Sequence, residues 1–383
     1  MALPPEIILT VTNDLAFDQR MQRICSSLSQ AGYKVTLVGR LLAGSPPTAD
    51  LPFCQVRLAC RFTRGKLFYL EYNWRLYRYL VNRTREKIGT DMAVCAIDLD
   101  TILPVLRISK KRKLPRVYDA HELFTELTEV KRRPMVSAIW QRVEKLAVPQ
   151  FPFGYTVNGF IAGELKNRYA VNYEVIRNMP YRQMKEQHSF TREKYKIPHE
   201  AFFLYQGAVN EGRSFETLIP AMKIVRAKLV IAGDGNFMEQ AKTIAKKEGL
   251  EEKIIFTGLI SPAELRQLTP LAFAGITIFQ EEGLNQYYSL ANRYFDYIQA
   301  GIPQVCVDYP EYAALNKLHE TAVLVEDVSP VTLSLAMNKL LSDIVLYSEL
   351  KNACTNAAEE FCWERESKHL VAYWKKLLPL ESN

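Results

Sequence analysis

No run in this sequence reaches the roughly 18 consecutive apolar residues that a bilayer-spanning helix needs. The opening segment, Met1 to Leu9, has neither the basic stretch nor the cleavage site of a secretory leader, so none is expected. No Cys-x-x-Cys pair occurs. Seven cysteines (Cys25, Cys54, Cys60, Cys95, Cys306, Cys354 and Cys362) are scattered along the chain. An odd, scattered set excludes a disulfide scaffold or zinc ribbon and fits reduced thiols in a cytoplasmic protein. What is present is the balance of a globular chain, 48% hydrophobic and 24% charged. At 383 residues it is too long for one ordinary core and suits two domains.

Charge is unevenly placed. Residues 1–182 carry 28 Lys and Arg against 16 Asp and Glu, whereas residues 183–383 carry 21 against 26. A basic half joined to a mildly acidic one implies that the first half meets an anionic partner.

Short apolar segments alternate with helical patterns throughout. In the first half the expected strands are Glu6–Thr12, Tyr33–Val38, Met92–Ile97, Arg116–Tyr118, Gly154–Val157 and Glu174–Ile176. After Pro180 a polar stretch, Arg182 to His199, reads as a linker. The rhythm then restarts with Phe202–Tyr205, Lys228–Ile231, Lys253–Phe256, Gly275–Phe279, Gln304–Val307 and Thr321–Val325. Such alternation gives parallel sheets covered on both faces. The expected fold class is α/β: two tandem Rossmann-like, doubly wound domains, 1–182 and 183–360, with a terminal segment 361–383. Ligands of such sheets bind at the carboxyl ends of strands, which makes the interdomain cleft the expected site.

Three strand-to-turn motifs stand in the second half. Tyr205 to Arg213 ends a strand in a loop holding Gly207 and opens a helix beside Arg213; orphan N–H groups, helix dipole and guanidinium all favour phosphate. Ile231 to Asn236 holds Gly233, Asp234 and Gly235, and Ile255 to Gly258 is a third such turn. In the segment 287–303, Asn292 and Asp296 are four residues apart and share a helix face, where a carboxylate can accept two hydrogen bonds from vicinal hydroxyls. Each motif by itself has a plain reading as a structural turn or solvated face.

The ordered set Gly207-x5-Arg213, Gly233-Asp234-Gly235, Phe256-x-Gly258 and Asn292-Arg293-x-Phe295-Asp296-Tyr297-x3-Gly301-Ile302-Pro303 resembles the donor-binding domain of family 4 glycosyltransferases, which have the GT-B fold. Ala96 to Pro104 and Val117 to Glu122 resemble that family's acceptor-side domain, and the resemblance runs from about residue 7 to 376. It implies a retaining glycosyltransferase that moves a sugar from a UDP- or GDP-linked donor to a glycan or lipid-linked saccharide, without a metal or other cofactor. It places Arg213 at the donor diphosphate, Ser289 and Leu290 where backbone amides meet that diphosphate, Asp296 at the ribose and His121 at the transferred sugar. It also implies that the C-terminal helix, Trp363 to Trp374, returns to the first domain. This sequence departs from the family at Ala208, where a base is common and Arg293 is a candidate substitute. It departs again at Tyr288 and Asp296, where Glu is common, and at Thr12-Asn13-Asp14, which replaces a Gly-rich loop and leaves Asn13 and Asp14 as loop candidates.

Other functions compete. Asp98-Leu99-Asp100-Thr101 after a strand, with Gly233-Asp234-Gly235, fits a haloacid dehalogenase-type phosphatase, but the further acid expected near 238 is Met238. The plain reading of Asp98–Thr101 is a cap on a helix starting near Ile102. A non-catalytic nucleotide-sugar-binding scaffold of the same fold is the stronger rival, favoured by Tyr288; a nucleotide-sugar epimerase fits the Asn292–Asp296 helix poorly. Glu281-Glu282 reads as a solvated loop.

Residues 57–90 hold nine Lys and Arg against two acids. A helix there would bury a stripe of Leu67, Leu70, Trp74, Tyr77, Val81 and Ile88, leaving Phe68, Tyr69, Tyr72 and Tyr79 among Arg75, Arg78, Arg83 and Arg85. A second cluster, Arg107 to Arg116, has six bases and no acid. Bases mixed with aromatics suit an anionic membrane surface, and no nucleic-acid-binding module is recognisable. The expected location is cytoplasmic, peripheral on the inner membrane face.

Overall fold

The computed structural model describes residues 4–48, 50–85, 92–182, 191–281 and 283–380. The chain divides into two compact units: Met1–Asn178 with Glu366–Asn383, and Met179–Arg365. Residues 183–190 of the expected linker, Ile88 and Glu282 lie outside the described residues.

The first unit contains β1 (Glu6–Asp14), α1 (Gln19–Gln30), β2 (Lys34–Leu41), β3 (Cys54–Ala59), α2 (Gly65–Arg83), β4 (Met92–Ile97), α3 (Ile102–Arg112), β5 (Arg116–Ala120), α4 (Thr128–Lys131), α5 (Pro134–Ala147), β6 (Phe153–Thr156), α6 (Gly159–Tyr169) and β7 (Glu174–Val175). Its seven strands are parallel in the order β3-β2-β1-β4-β5-β6-β7. Strand β4 is buried along its whole length, as a central parallel strand covered on both faces must be. The order reverses direction at β1/β4, the position where doubly wound sheets open a crevice at their carboxyl ends.

The second unit contains β8 (Phe202–Gln206), α7 (Phe215–Ala221), β9 (Lys228–Ala232), α8 (Met238–Lys247), β10 (Ile254–Gly258), α9 (Pro262–Leu268), β11 (Ala274–Thr277), α10 (Leu284–Tyr287), α11 (Asn292–Gln299), β12 (Gln304–Val307), α12 (Pro310–Leu318), β13 (Ala322–Val325), α13 (Pro330–Ser342) and α14 (Ile344–Glu360). The six parallel strands run β10-β9-β8-β11-β12-β13, reversing at β8/β11. Helix α15 (Trp363–Leu377) starts in this unit and ends in the first.

Every strand expected from sequence is present, with ends shifted by a few residues. Three expectations need correction. Strand β3 was not anticipated: it lies at the sheet edge, and its sequence Cys-Gln-Val-Arg-Leu-Ala has no apolar run because only one strand, β2, pairs with it. Helix α2 buries Phe68, Tyr72, Leu76 and Leu80, not the expected stripe, and leaves Leu67, Leu70 and Trp74 exposed. The choice of face follows from specific contacts. The Tyr72 hydroxyl donates to the Val11 carbonyl of β1, and the Arg40 guanidinium lies 4.5 Å over the Phe68 ring. Third, Asp98 caps no helix: neither it nor Thr101 makes a side-chain cap hydrogen bond.

Candidate functional site

In the second unit the three glycine turns stand side by side at the carboxyl ends of β8, β9 and β10. Gly207 N–H donates to the Ala232 carbonyl and Gly233 N–H to the Gly258 carbonyl, each at 2.9 Å. Gly233 has φ 157°, and a Cβ there would stand 1.8 Å from the Gly207 carbonyl oxygen, so only glycine allows the two turns to touch. The loops are tied again by Asn236 N–H to Asn210 Oδ1 (3.1 Å) and Glu211 N–H to Asn236 Oδ1 (3.1 Å). Asp234 is exposed, and its carboxylate accepts the Gly235 N–H at 2.8 Å.

Two arginines converge on one ring beside this edge. The Arg213 guanidinium lies 4.6 Å from the Phe279 centroid and that of Arg293 lies 4.7 Å from it. Arg293, in the first turn of α11, is only 7% exposed and also stacks 4.4 Å over Tyr205. Its Nη1 donates to the Tyr205 hydroxyl (3.0 Å) and the Gln206 carbonyl (3.3 Å), while Nε and Nη2 are buried without a hydrogen-bond partner. Among the described residues no carboxylate pairs with it. A Cβ on Gly207 would meet its Nη1 at 3.3 Å, which places the cation against the first glycine turn.

One turn further along α11, Asp296 Oδ2 accepts from Gln206 Nε2 at 3.0 Å, and Gln206 Oε1 accepts from the Thr269 hydroxyl at 2.8 Å. The Asp296 carboxylate can only accept, which fixes the amide end of Gln206 that faces it. Asn292 is exposed at the start of the helix. The Ser289 N–H donates to the Gln286 carbonyl at 3.1 Å, and Leu290 packs on the core. Phe279 and Gln206, both central here, carried no signal in the sequence: one ends an apolar run, and the other precedes a glycine as any polar residue can.

The first unit gathers a second set of polar groups at the carboxyl ends of β1, β4 and β5. His121 Nε2 is 3.0 Å from Asp119 Oδ2 and 3.0 Å from Arg20 Nε, and Arg20 Nη2 donates to Asp119 Oδ1 at 3.2 Å. On its other side His121 N–H donates to Asp98 Oδ1 at 2.9 Å, and Nδ1 lies 3.8 Å from Asp98 Oδ2. Thr12 donates to Asp100 Oδ2 at 2.7 Å. Burial pushes the Asp98 carboxyl up to about 7, against the pull of His121, and burial pushes Asp100 up to about 6. Burial opposes charge on Asp119 too, but His121 and Arg20 outweigh it and hold that carboxyl low. Burial likewise opposes charge on His121, and Asp119 and Asp98 together raise it.

Asn13 and Asp14 face their own loop. Asn13 Nδ2 donates to Asp18 Oδ2 at 2.9 Å. Asp14 accepts from Ser45 and from the Ala16 N–H, with Arg57 3.9 Å away; these contacts outweigh burial and lower its pKa. No cluster of three or more His, Cys, Asp or Glu able to hold a metal occurs among the described residues.

A family model described as glycosyl transferases group 1 matches residues 187–361. An uncharacterized glycosyltransferase of Methanocaldococcus jannaschii is 24% identical over 183 residues, covering 46% of this chain and 45% of that protein, so the match spans about half the length of the relative. Among solved structures, sucrose-phosphate synthase from Thermosynechococcus elongatus superposes with a TM-score of 0.83 at 16% identity, covering 97% of this chain and 99% of that one. HepE of Anabaena in complex with UDP-glucose superposes with a TM-score of 0.73 at 12% identity, covering 97% and 100%. Two parallel α/β units, the three adjoining glycine turns and the match across 187–361 lead to one conclusion: the chain has the GT-B fold, and residues 187–361 of its second unit match the model of the group 1 glycosyl transferases.

Proposed function

We propose that this protein is a retaining glycosyltransferase that moves a sugar from a UDP- or GDP-linked donor to a hydroxyl of a glycan or lipid-linked saccharide. The observation that carries the reading is the buried Arg293, close to the Phe279 ring together with Arg213 and set against the glycine turns of a unit that matches this family's model. A buried guanidinium with unpartnered nitrogens, as in Arg293, suits an anion, and the leaving nucleoside diphosphate is one whose charge grows as the sugar–phosphate bond breaks. Arg293 then supplies the base that Ala208 lacks. Asp296, held by Gln206, accepts ribose hydroxyls, and His121 faces the transferred sugar. In the transfer, the bond from the anomeric carbon to the diphosphate oxygen breaks and a bond to the acceptor oxygen forms on the same face. The acceptor proton passes to the departing phosphate. No metal is needed for these steps in this reading, because the fixed cation of Arg293 meets the developing charge.

The test is calorimetry with UDP, GDP and their glucose conjugates, followed by Arg213→Ala. A charge-assisted hydrogen bond contributes about 1.5–3 kcal/mol, so affinity is expected to fall by about 10- to 150-fold. Unchanged affinity would place the anion site elsewhere, and binding without any hydrolysis or transfer would favour the scaffold reading.

An anionic membrane surface is the partner we infer for the first unit, on a different face of α2 from that read in the sequence. Leu70 and Trp74 are exposed beside Arg78, whose guanidinium lies 4.8 Å over the Trp74 ring. Helix α5 adds exposed Met135, Ile139 and Leu146 next to Arg132, Arg133 and Arg142, and Trp140 of α5 meets Tyr69 of α2 edge to face. Apolar side chains interleaved with bases suit the headgroup boundary of an anionic leaflet, and nucleic acid would not use the aliphatic ones. No helix among the described residues is long and apolar enough to cross a membrane.

A further inference from the structure

The Asp98-Leu99-Asp100 motif neither caps a helix nor joins a metal cluster among the described residues, so its backbone needs another explanation. Asp98 has φ 51° and ψ −177°, a conformation that glycine takes freely and L side chains rarely adopt. Its own N–H is fixed to the Asp119 carbonyl at 2.9 Å, locking the strained residue beside β5.

The conformation aims the carboxylate at His121: one oxygen accepts the His121 N–H and the other stands 3.8 Å from Nδ1. The opposite edge of the imidazole is closed by Asp119, which is fully buried, and by Arg20, which is nearly so. The Asp98 and His121 side chains remain 21% and 18% exposed. Of this constellation, the pair is what solvent reaches. The other charged groups around Asp98 are Asp100 and Glu122, with the Tyr118 phenol behind.

We propose that Asp98 is a substrate-binding residue that acts with His121 as a hydroxyl-recognising pair for a sugar ring, and that its strained backbone is retained for this purpose. The proposal rests on the glycosyltransferase reading and adds a second sugar-facing residue to it. A carboxyl group accepts hydroxyl hydrogens when ionised and donates one when protonated, so it can read either partner of a hydroxyl, and an imidazole held beside it fixes the spacing at which two ring hydroxyls are read. Strained non-glycine residues gather where a side chain must be aimed, since stability alone would favour relief of the strain.

The experiment compares wild type, Asp98→Gly and Asp98→Asn in the full chain. Glycine relieves the strain and removes the carboxylate, so Tm is expected to stay within about 2 °C of wild type or to rise, the released strain offsetting the lost hydrogen bond. UDP affinity, which belongs to the second unit, is expected to remain within about twofold, while kcat/KM for the acceptor falls at least tenfold in both variants. By NMR, the His121 ring resonance is expected to titrate at lower pH in Asp98→Asn, and to shift on addition of glucose or galactose in wild type but not in Asp98→Gly. A fall in Tm beyond about 4 °C with parallel loss of UDP binding would show a structural role and overturn the proposal; so would full turnover in Asp98→Gly. If wild type turns over no nucleotide sugar, the transferase reading fails. The monosaccharide titration still decides the pair: a shift lost in Asp98→Gly sustains it, and its absence in wild type overturns it.

Discussion

Arg293 is an unfavourable residue to bury unless something uses its charge. Removing a guanidinium from water with two of its nitrogens unpartnered costs more than the rings of Tyr205 and Phe279 return, since a cation–π contact contributes only about 0.5–2 kcal/mol. Arg293→Met keeps the length and apolar body of the side chain and deletes the charge. The expected outcome is a Tm equal to or above wild type, with a dissociation constant for UDP raised about tenfold or more by calorimetry. Lost Tm with unchanged affinity would make Arg293 a packing residue. At this scale the sequence was legible where spacing carries the message. Asn292 and Asp296 do lie one turn apart on α11, and Gly207, Gly233 and Gly258 do share one edge. It was silent on Phe279 and Gln206, because a ring that meets two cations and an amide behind an acid are products of three-dimensional packing. No local pattern announces them.

Helices and strands were legible in proportion to how evenly their surroundings treat them. Strands β4 and β12 fall on the expected residues because both faces are covered and the apolar run is continuous. Strand β3 escaped because an edge strand mixes Gln55 and Arg57 into its short length. Helix α2 was legible as a helix but not in orientation: apolar and aromatic residues occur on two faces, and the buried face is the one whose tyrosine reaches the Val11 carbonyl. The two faces give opposite predictions. Leu76→Ala, fully buried, is expected to cost about 2–5 kcal/mol in denaturant unfolding. Replacing Leu70 and Trp74 with Ser is expected to leave stability within about 0.5 kcal/mol per site. The same double change should reduce co-sedimentation with vesicles containing phosphatidylserine. Binding by wild type should require the anionic lipid and weaken as salt rises. Equal binding to neutral and anionic vesicles, or none to either, would return this face to ordinary solvent exposure.

At the scale of the molecule, the chain builds one unit from its two ends. In the sequence this is implied only by the resemblance to a family, since nothing in Glu366 to Leu380 by itself says which core it joins. Within the first unit the segment is deeply embedded. Leu370 and Trp374 are fully buried, and Tyr373 packs edge to face on Tyr155 at 5.3 Å. Glu366 accepts the Arg177 N–H at 2.6 Å, and the Tyr33 hydroxyl donates to the Leu378 carbonyl at 2.8 Å. Loss of one buried aromatic side chain alone costs about 3–5 kcal/mol, and truncation after Arg365 removes Trp374 together with all these neighbours. The second unit keeps its own end of α15, because Trp363, whose N–H donates to the Pro180 carbonyl at 2.7 Å, survives the truncation. Scanning calorimetry of the truncated chain should therefore show the first unit melting far lower or already unfolded. The transition of the second unit should persist and still rise with UDP, by about 2.7 kcal/mol of added stability at 100 times the dissociation constant. A single transition unmoved by the truncation would show that the segment is dispensable to the first unit. Loss of the UDP response would show that the nucleotide needs more than the second unit provides.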